Sequence, residues 1–84
     1  MAGCIIQPGV KIKRGSIINT GASIDHDCTI GRFCHLAPGV TLSGNVKIGD
    51  YVHVGTGANV IQSISISHKA VIPAGNTIKK DFKC

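Results

Sequence analysis

Residues 18–54 read INTGASIDHDCTIGRFCHLAPGVTLSGNVKIGDYVHV, and every sixth position in the stretch is aliphatic: Ile18, Ile24, Ile30, Leu36, Leu42, Ile48 and Val54. The step continues outward in both directions, through Ile12 and Ile6 before it and Val60, Ile66, Ile72 and Ile78 after it, thirteen positions without a break. Ile, Leu and Val make up only about a quarter of the chain. Chance agreement at all thirteen is therefore on the order of one in ten million. A second register of mostly small residues runs two positions ahead of each aliphatic, including Cys4, Val10, Ser16, Ala22, Cys28, Cys34 and Val40. Turn-forming residues often follow the aliphatic directly, as at Asn19, Asp25, Gly31, Ser43, Gly49 and Gly55, and the sharp turns are expected there.

A large aliphatic, a turn and a small inward residue, repeated every six positions, describe one side of a β-solenoid. Three sides close a triangular coil, and coils stack at the usual strand spacing of about 4.8 Å. The expected fold is all-β, a single-stranded left-handed parallel β-helix. Its handedness follows from resemblance to hexapeptide-repeat solenoids, since the crossover rule alone favours the opposite hand. Thirteen hexads at three per coil make between four and five coils in one domain spanning 1–84, with Ile6 through Ile78 pointing inward. Cys28 and Cys34 fall in the small inward register and are expected as core fillers.

Composition narrows the function. Nine basic and four acidic residues give a formal charge of +5. Nucleic acid is disfavoured as a partner, because there is no basic helix and a chain with one Tyr, two Phe and no Trp has no stacking platform. A phosphate-bearing ligand suits the charge better, with Lys79, Lys80 and Lys83 gathered near the end. The four cysteines form no C-x-x-C pair, so no zinc ribbon or redox motif is expected. Free thiols suggest a reducing, cytoplasmic setting. No apolar run is long enough to cross a membrane as a helix.

Two of the four histidines, His26 and His35, sit nine residues apart. In a coil of three hexads nine residues is half a turn, so the two lie on different sides of one prism. Residues one coil apart stack, placing Gly44 over His26 and His53 over His35. The two imidazoles can share a cleft only if prisms pack side by side around a threefold axis, which predicts a homotrimer with clefts between subunits.

The run from Ile18 to Val60 resembles the sugar O- and N-acetyltransferases of the sialic-acid and bacillosamine type, a resemblance covering roughly residues 12 to 80. It is carried by Asn19, Asp25, His26, Asp27, His35, Gly44, Asn45 and Val46, all in step with that family's motif. The resemblance implies transfer of an acetyl group from acetyl-CoA to an amine or hydroxyl of a nucleotide-linked sugar. His26 would be the general base, with an adjacent carboxylate on its other ring nitrogen, Asp25 the first choice and Asp27 the second. Gly44 would offer its backbone N–H to the thioester oxyanion. Asn19 and His35 would position sugar or cofactor. CoA would run along the coils holding Gly55, Gly57 and Ala58, with Lys79 and Lys80 as candidates for its phosphates; no metal is implied. The family's N-terminal nucleotide-sugar domain and C-terminal tail are expected to be absent from 1–84.

Three rival readings stand beside this one. A non-catalytic solenoid scaffold would need no Asn-Asp-His-Asp constellation. A γ-type carbonic anhydrase would carry two zinc ligands as H-x-x-x-x-H, a pair this chain lacks. An ice-binding solenoid would need regular outward Thr ladders, whereas Lys11, Ile17, Ser23, Thr29, His35, Thr41 and Lys47 read as mixed.

Overall fold

A computed structural model describes residues 5–81. Within them the chain is a parallel β-solenoid built from thirteen two-residue strands, β1 (Ile5–Ile6) to β13 (Thr77–Ile78), one per hexad. The strands form three parallel sheets of five, four and four members, which makes four full coils and one further strand. Partners are one coil apart in perfect register: Ser23 pairs with Thr41, Thr29 with Lys47 and His35 with His53. This is the parallel β-helix expected from the period, with the left hand that the resemblance implied, and no α-helix occurs among the described residues.

Because successive strand residues face opposite ways, each hexad sends its aliphatic inward and the residue before it outward. Ile24, Ile30 and Leu36 are fully buried, and Ala22, Cys28 and Cys34 fill the narrower space between layers. The two thiols are core fillers as expected. Cys28 Sγ donates to the Ser43 carbonyl at 3.0 Å and Cys34 Sγ to the Gly49 carbonyl at 2.9 Å. Burial pushes both thiols above their ordinary value, which disfavours the reactive thiolate. Cys4, Lys83 and Cys84 lie outside the described residues.

Not every aliphatic of the register is covered. Ile6 and Ile12, in the first two strands, remain 47% and 38% exposed. From Ile18 onward the register is buried. Truncating a covered member, Ile30→Ala, is expected to cost about 2–5 kcal/mol, since the coils above and below cannot close the gap. A denaturant midpoint measured against the parent protein checks this.

The turns also differ from expectation. The left-handed backbone position falls three residues after each aliphatic, at Gly9, Gly15, Gly21, Asp27, Phe33, Gly39, Asn45, Tyr51, Gly57, Ser63, Lys69 and Gly75. Glycine directly after the aliphatic answers a different need. At Gly31 a Cβ would run into the Gly49 carbonyl of the next coil, so it is spacing between coils that calls for glycine there.

The outward residues sort by face. One face, polar and uncharged beyond the first coil, carries Ser23, Thr41, Asn59 and Thr77. The second is basic, with Lys11, Thr29, Lys47 and Ser65. The third carries Ile17, His35, His53 and Val71 and is here called the imidazole face. Three corners separate them: a His26 corner between polar and basic faces, an aromatic corner with Phe33 and Tyr51 between basic and imidazole faces, and a glycine corner between imidazole and polar faces.

Candidate active site on two corners and one face

At the His26 corner the sequence Asp25-His26-Asp27 occupies the turn that leaves the strand Ser23–Ile24. The two carboxylates do different jobs. Asp25 Oδ1 accepts the backbone N–H of His26 at 2.7 Å and so pins the turn. Asp27 Oδ2 lies 3.2 Å from His26 Nδ1 and is the carboxylate at the ring. The sequence favoured Asp25 for that place. The difference arises because Asp27 is in the left-handed conformation, with φ 59°, which carries its side chain alongside the ring and over Gly9 of the coil below. A Cβ at Gly9 would collide with the Asp27 carboxylate.

An ionised carboxylate can only accept, so the proton between the pair belongs on Nδ1, leaving His26 Nε2 with its lone pair free. That nitrogen lies over Gly44: a Cβ there would sit 2.7 Å from Nε2 and 2.8 Å from Cε1. Glycine at 44 thus makes room for the imidazole, which any side chain there would displace. His26 and Asp27 are both more than half exposed, so their pairing is screened by water in the single prism. It orients the imidazole and adds little stability.

The second set lies on the imidazole face. Asn19 Nδ2 is 2.6 Å from His35 Nε2 and also donates to the Leu36 carbonyl at 3.1 Å. The amide is held by the backbone and in turn fixes the ring. His53, one coil away, meets His35 edge to face with centroids 4.8 Å apart. The structure therefore brings Asn19 to His35, and Asp25, Asp27 and Gly44 to His26, but it keeps the two sets apart within one chain.

Lys79 and Lys80 share the His26 corner, in the columns of Asp25 and His26 but three coils on, about 14 Å along the axis. Gly55 and Gly57 border the glycine corner. Ala58 is fully buried, so its side chain faces the core. A feature missed in the sequence is the column Gly21, Gly39, Gly57, Gly75, four left-handed glycines stacked at the glycine corner. Around Gly57 and Gly75 a Cβ would meet nothing within 4 Å, so the column is open at those two positions. Glycine recurring at every third hexad was the signal.

Comparison with known proteins identifies the family. The model of the bacterial transferase hexapeptide family (six repeats) matches residues 9–44 and 27–62. The acetyltransferase domain of PglB from Neisseria gonorrhoeae superposes with a TM-score of 0.96 at 40% identity, covering 98% of this chain and 40% of that one. PerB from Caulobacter crescentus, solved in complex with CoA and GDP-perosamine, gives a TM-score of 0.86 at 30% identity over 98% of this chain and 48% of its own. The acyl-[acyl-carrier-protein]–UDP-N-acetylglucosamine O-acyltransferase of Helicobacter pylori is 34% identical over 93% of this chain and 32% of its own length. The chain thus spans from 32% to 48% of the length of these proteins. With an unbroken hexad register, a matching family model across more than half its length and near-superposable relatives, the chain belongs to the bacterial transferase hexapeptide family.

Proposed function

We propose that the protein transfers an acetyl group from acetyl-CoA to an amine or hydroxyl of a nucleotide-linked sugar, in clefts between three copies of the chain. The observation that carries this reading is the His26–Asp27 pair, with Nε2 turned toward Gly44, whose missing side chain makes room for the ring. An imidazole whose Nδ1–H is held by a carboxylate and whose Nε2 is free is equipped to take a proton from an attacking amine or hydroxyl. Asp27 then stabilises the imidazolium that forms. The thioester supplies the acetyl group when CoA is bound. The column of glycines at that corner suits the close approach of a long, thin pantetheine arm, and Lys79 and Lys80 offer positive charge toward phosphates. Similarity to an acetyltransferase domain and to a CoA-bound neighbour supports the same chemistry.

The three-copy arrangement is supported by the separation of the two site halves and by the shape of the single prism, which is convex and has no cavity among its described residues. Calorimetric titration with acetyl-CoA is expected to show saturable heat and a rise in melting temperature. Neither signal at millimolar ligand would remove the cofactor and leave the scaffold reading.

A further inference from the structure

We infer that His35 and His53 form a chelating site for a late transition-metal ion such as Ni²⁺ or Zn²⁺, and that an ion bound there takes His35 away from Asn19. The resemblance implies no metal, and the pair lies within one chain, so the site does not depend on the three-copy reading. Its inhibitory consequence rests on the acetyl-transfer reading, in which His35 positions sugar or cofactor.

The ladder sets the pair. His35 and His53 are direct partners in a parallel ladder, one coil apart, and both occupy the outward place of their strands. Their rings therefore leave the sheet side by side, with centroids 4.8 Å apart and planes at 63°. Two imidazoles on one ion, each at a metal–nitrogen bond of about 2.0–2.1 Å, put their nitrogens roughly 3–3.5 Å apart. Small rotations of rings already this close reach that separation. The solenoid backbone holds both side chains in place beforehand, so little chain freedom is lost when the ion binds. A ligand pair spaced by one coil is also invisible to a search for H-x-x-x-x-H.

The surroundings choose the ion. The outward positions of this face are Ile17, His35, His53 and Val71, so no carboxylate stands beside the pair on the ladder. Ile17 and Val71, 47% and 62% exposed, border it on the coils to either side. Mg²⁺ and Ca²⁺ need oxygen ligands, whereas imidazole suits nickel, copper and zinc. Among the described residues no cluster of three or more His, Cys, Asp or Glu forms a metal cage. Two ring nitrogens with water at the remaining positions make an open, exchangeable chelate.

Asn19 decides which nitrogen of His35 is at stake. Its Nδ2 donates to the Leu36 carbonyl at 3.1 Å and lies 2.6 Å from His35 Nε2. An amide nitrogen carries two hydrogens and only donates, so Nε2 accepts and the His35 proton sits on Nδ1. Nε2 thus holds the lone pair that a metal needs, and the Asn19 amide already occupies it. Coordination through Nε2 replaces the Asn19 bond. Coordination through Nδ1 would move the proton to Nε2 and set N–H against N–H. The ion and Asn19 therefore compete for one nitrogen. His53 has no such competitor, since among the described residues its ring meets His35 and makes no hydrogen bond.

Calorimetric titration with nickel chloride is expected to show one ion more per chain in the wild-type protein than in His53→Phe, which keeps a ring there and removes both nitrogens. His35→Ala should lose the same ion, His26→Ala should keep it, and magnesium chloride should give no heat. Asn19→Ala should bind nickel about three- to tenfold more tightly, the weight of one released hydrogen bond. In the wild-type protein, paramagnetic Ni²⁺ should broaden the ring-proton signals of His35 and His53 ahead of those of His26 and His68, a readout that needs no variant. Acetyl transfer should fall with added nickel in the wild-type protein and not in His53→Phe, each measured against its own metal-free rate. Equal nickel binding by wild type and His53→Phe, or broadening centred on His26, overturns the site. Unchanged or weaker binding by Asn19→Ala overturns the competition for Nε2. Nickel bound with transfer undiminished overturns the inhibitory role. Absence of transfer from the metal-free protein overturns the acetyl-transfer reading instead and leaves the calorimetric result standing.

Discussion

Replacement of His26 by alanine is expected to lower acetyl transfer by the ~100- to 10,000-fold typical of a lost acid–base group. Assembly and CoA binding should be nearly unchanged, because the His26 ring is more than half exposed and its one ring partner, Asp27, is exposed as well. The two carboxylates provide an internal ranking. Asp27→Asn removes the negative charge beside Nδ1 and should cost less than His26→Ala but more than Asp25→Asn. Asp25 contacts the backbone N–H, a bond that an asparagine oxygen can still accept. Steady-state rates with acetyl-CoA and an amino-sugar acceptor check the series. An order in which Asp25→Asn costs more than Asp27→Asn would show that the ring changes partner once the cleft is formed. An unchanged rate for His26→Ala would remove the general base from the proposal.

What the sequence revealed and what it hid follow from which period each feature obeys. The core was legible because the inward aliphatics repeat every six residues, and six is the step at which the eye meets Ile24, Ile30 and Leu36. The faces obey a step of eighteen, one coil. Read at six, the outward residues Lys11, Ile17, Ser23, Thr29 and His35 look mixed; read at eighteen they separate into polar, basic and imidazole columns. The left-handed turn position was hidden for another reason. Glycine fills it at Gly21 and Gly39, but Asp27, Phe33, Asn45 and Tyr51 fill it elsewhere, so no residue type marks it throughout. A left-handed backbone costs a bulky residue about 1–2 kcal/mol. Nothing in the local sequence around Phe33 or Tyr51 predicts that cost would be accepted.

The same hidden variable explains the carboxylates. Asp25 and Asp27 are equivalent neighbours of His26 in a string of letters. The sign of φ at residue 27 makes one a ring partner and the other a backbone acceptor. The half-coil relation between His26 and His35, in contrast, needed only the coil length. The structure keeps that relation, with His26 at one corner and His35 on the opposite face.

That opposition leads to the second large effect, which concerns mixtures of inactive chains. His26→Ala and His35→Ala subunits should each assemble into inactive trimers, the first lacking its base and the second its positioning imidazole. When the two are unfolded together and refolded at equal amounts, subunits combine at random. A cleft is intact when its His26 comes from a His35→Ala chain and its His35 from a His26→Ala chain. For a site shared between neighbours in a ring, that holds for about a quarter of clefts, so activity should rise from near nil to roughly a quarter of the wild-type level. A site contained within one chain gives a different result, because every chain in the mixture then carries one damaged residue and no mixing restores it. Native mass spectrometry establishes that mixed trimers have formed, and the rate is read on the same sample. Mixed trimers with no recovered activity would place His26 and His35 in separate functions. Recovery near a quarter would tie both to one cleft, and the mixing ratio supplies a further control: at three parts to one the intact fraction falls to about three sixteenths, a dependence that a contaminating wild-type chain would not follow.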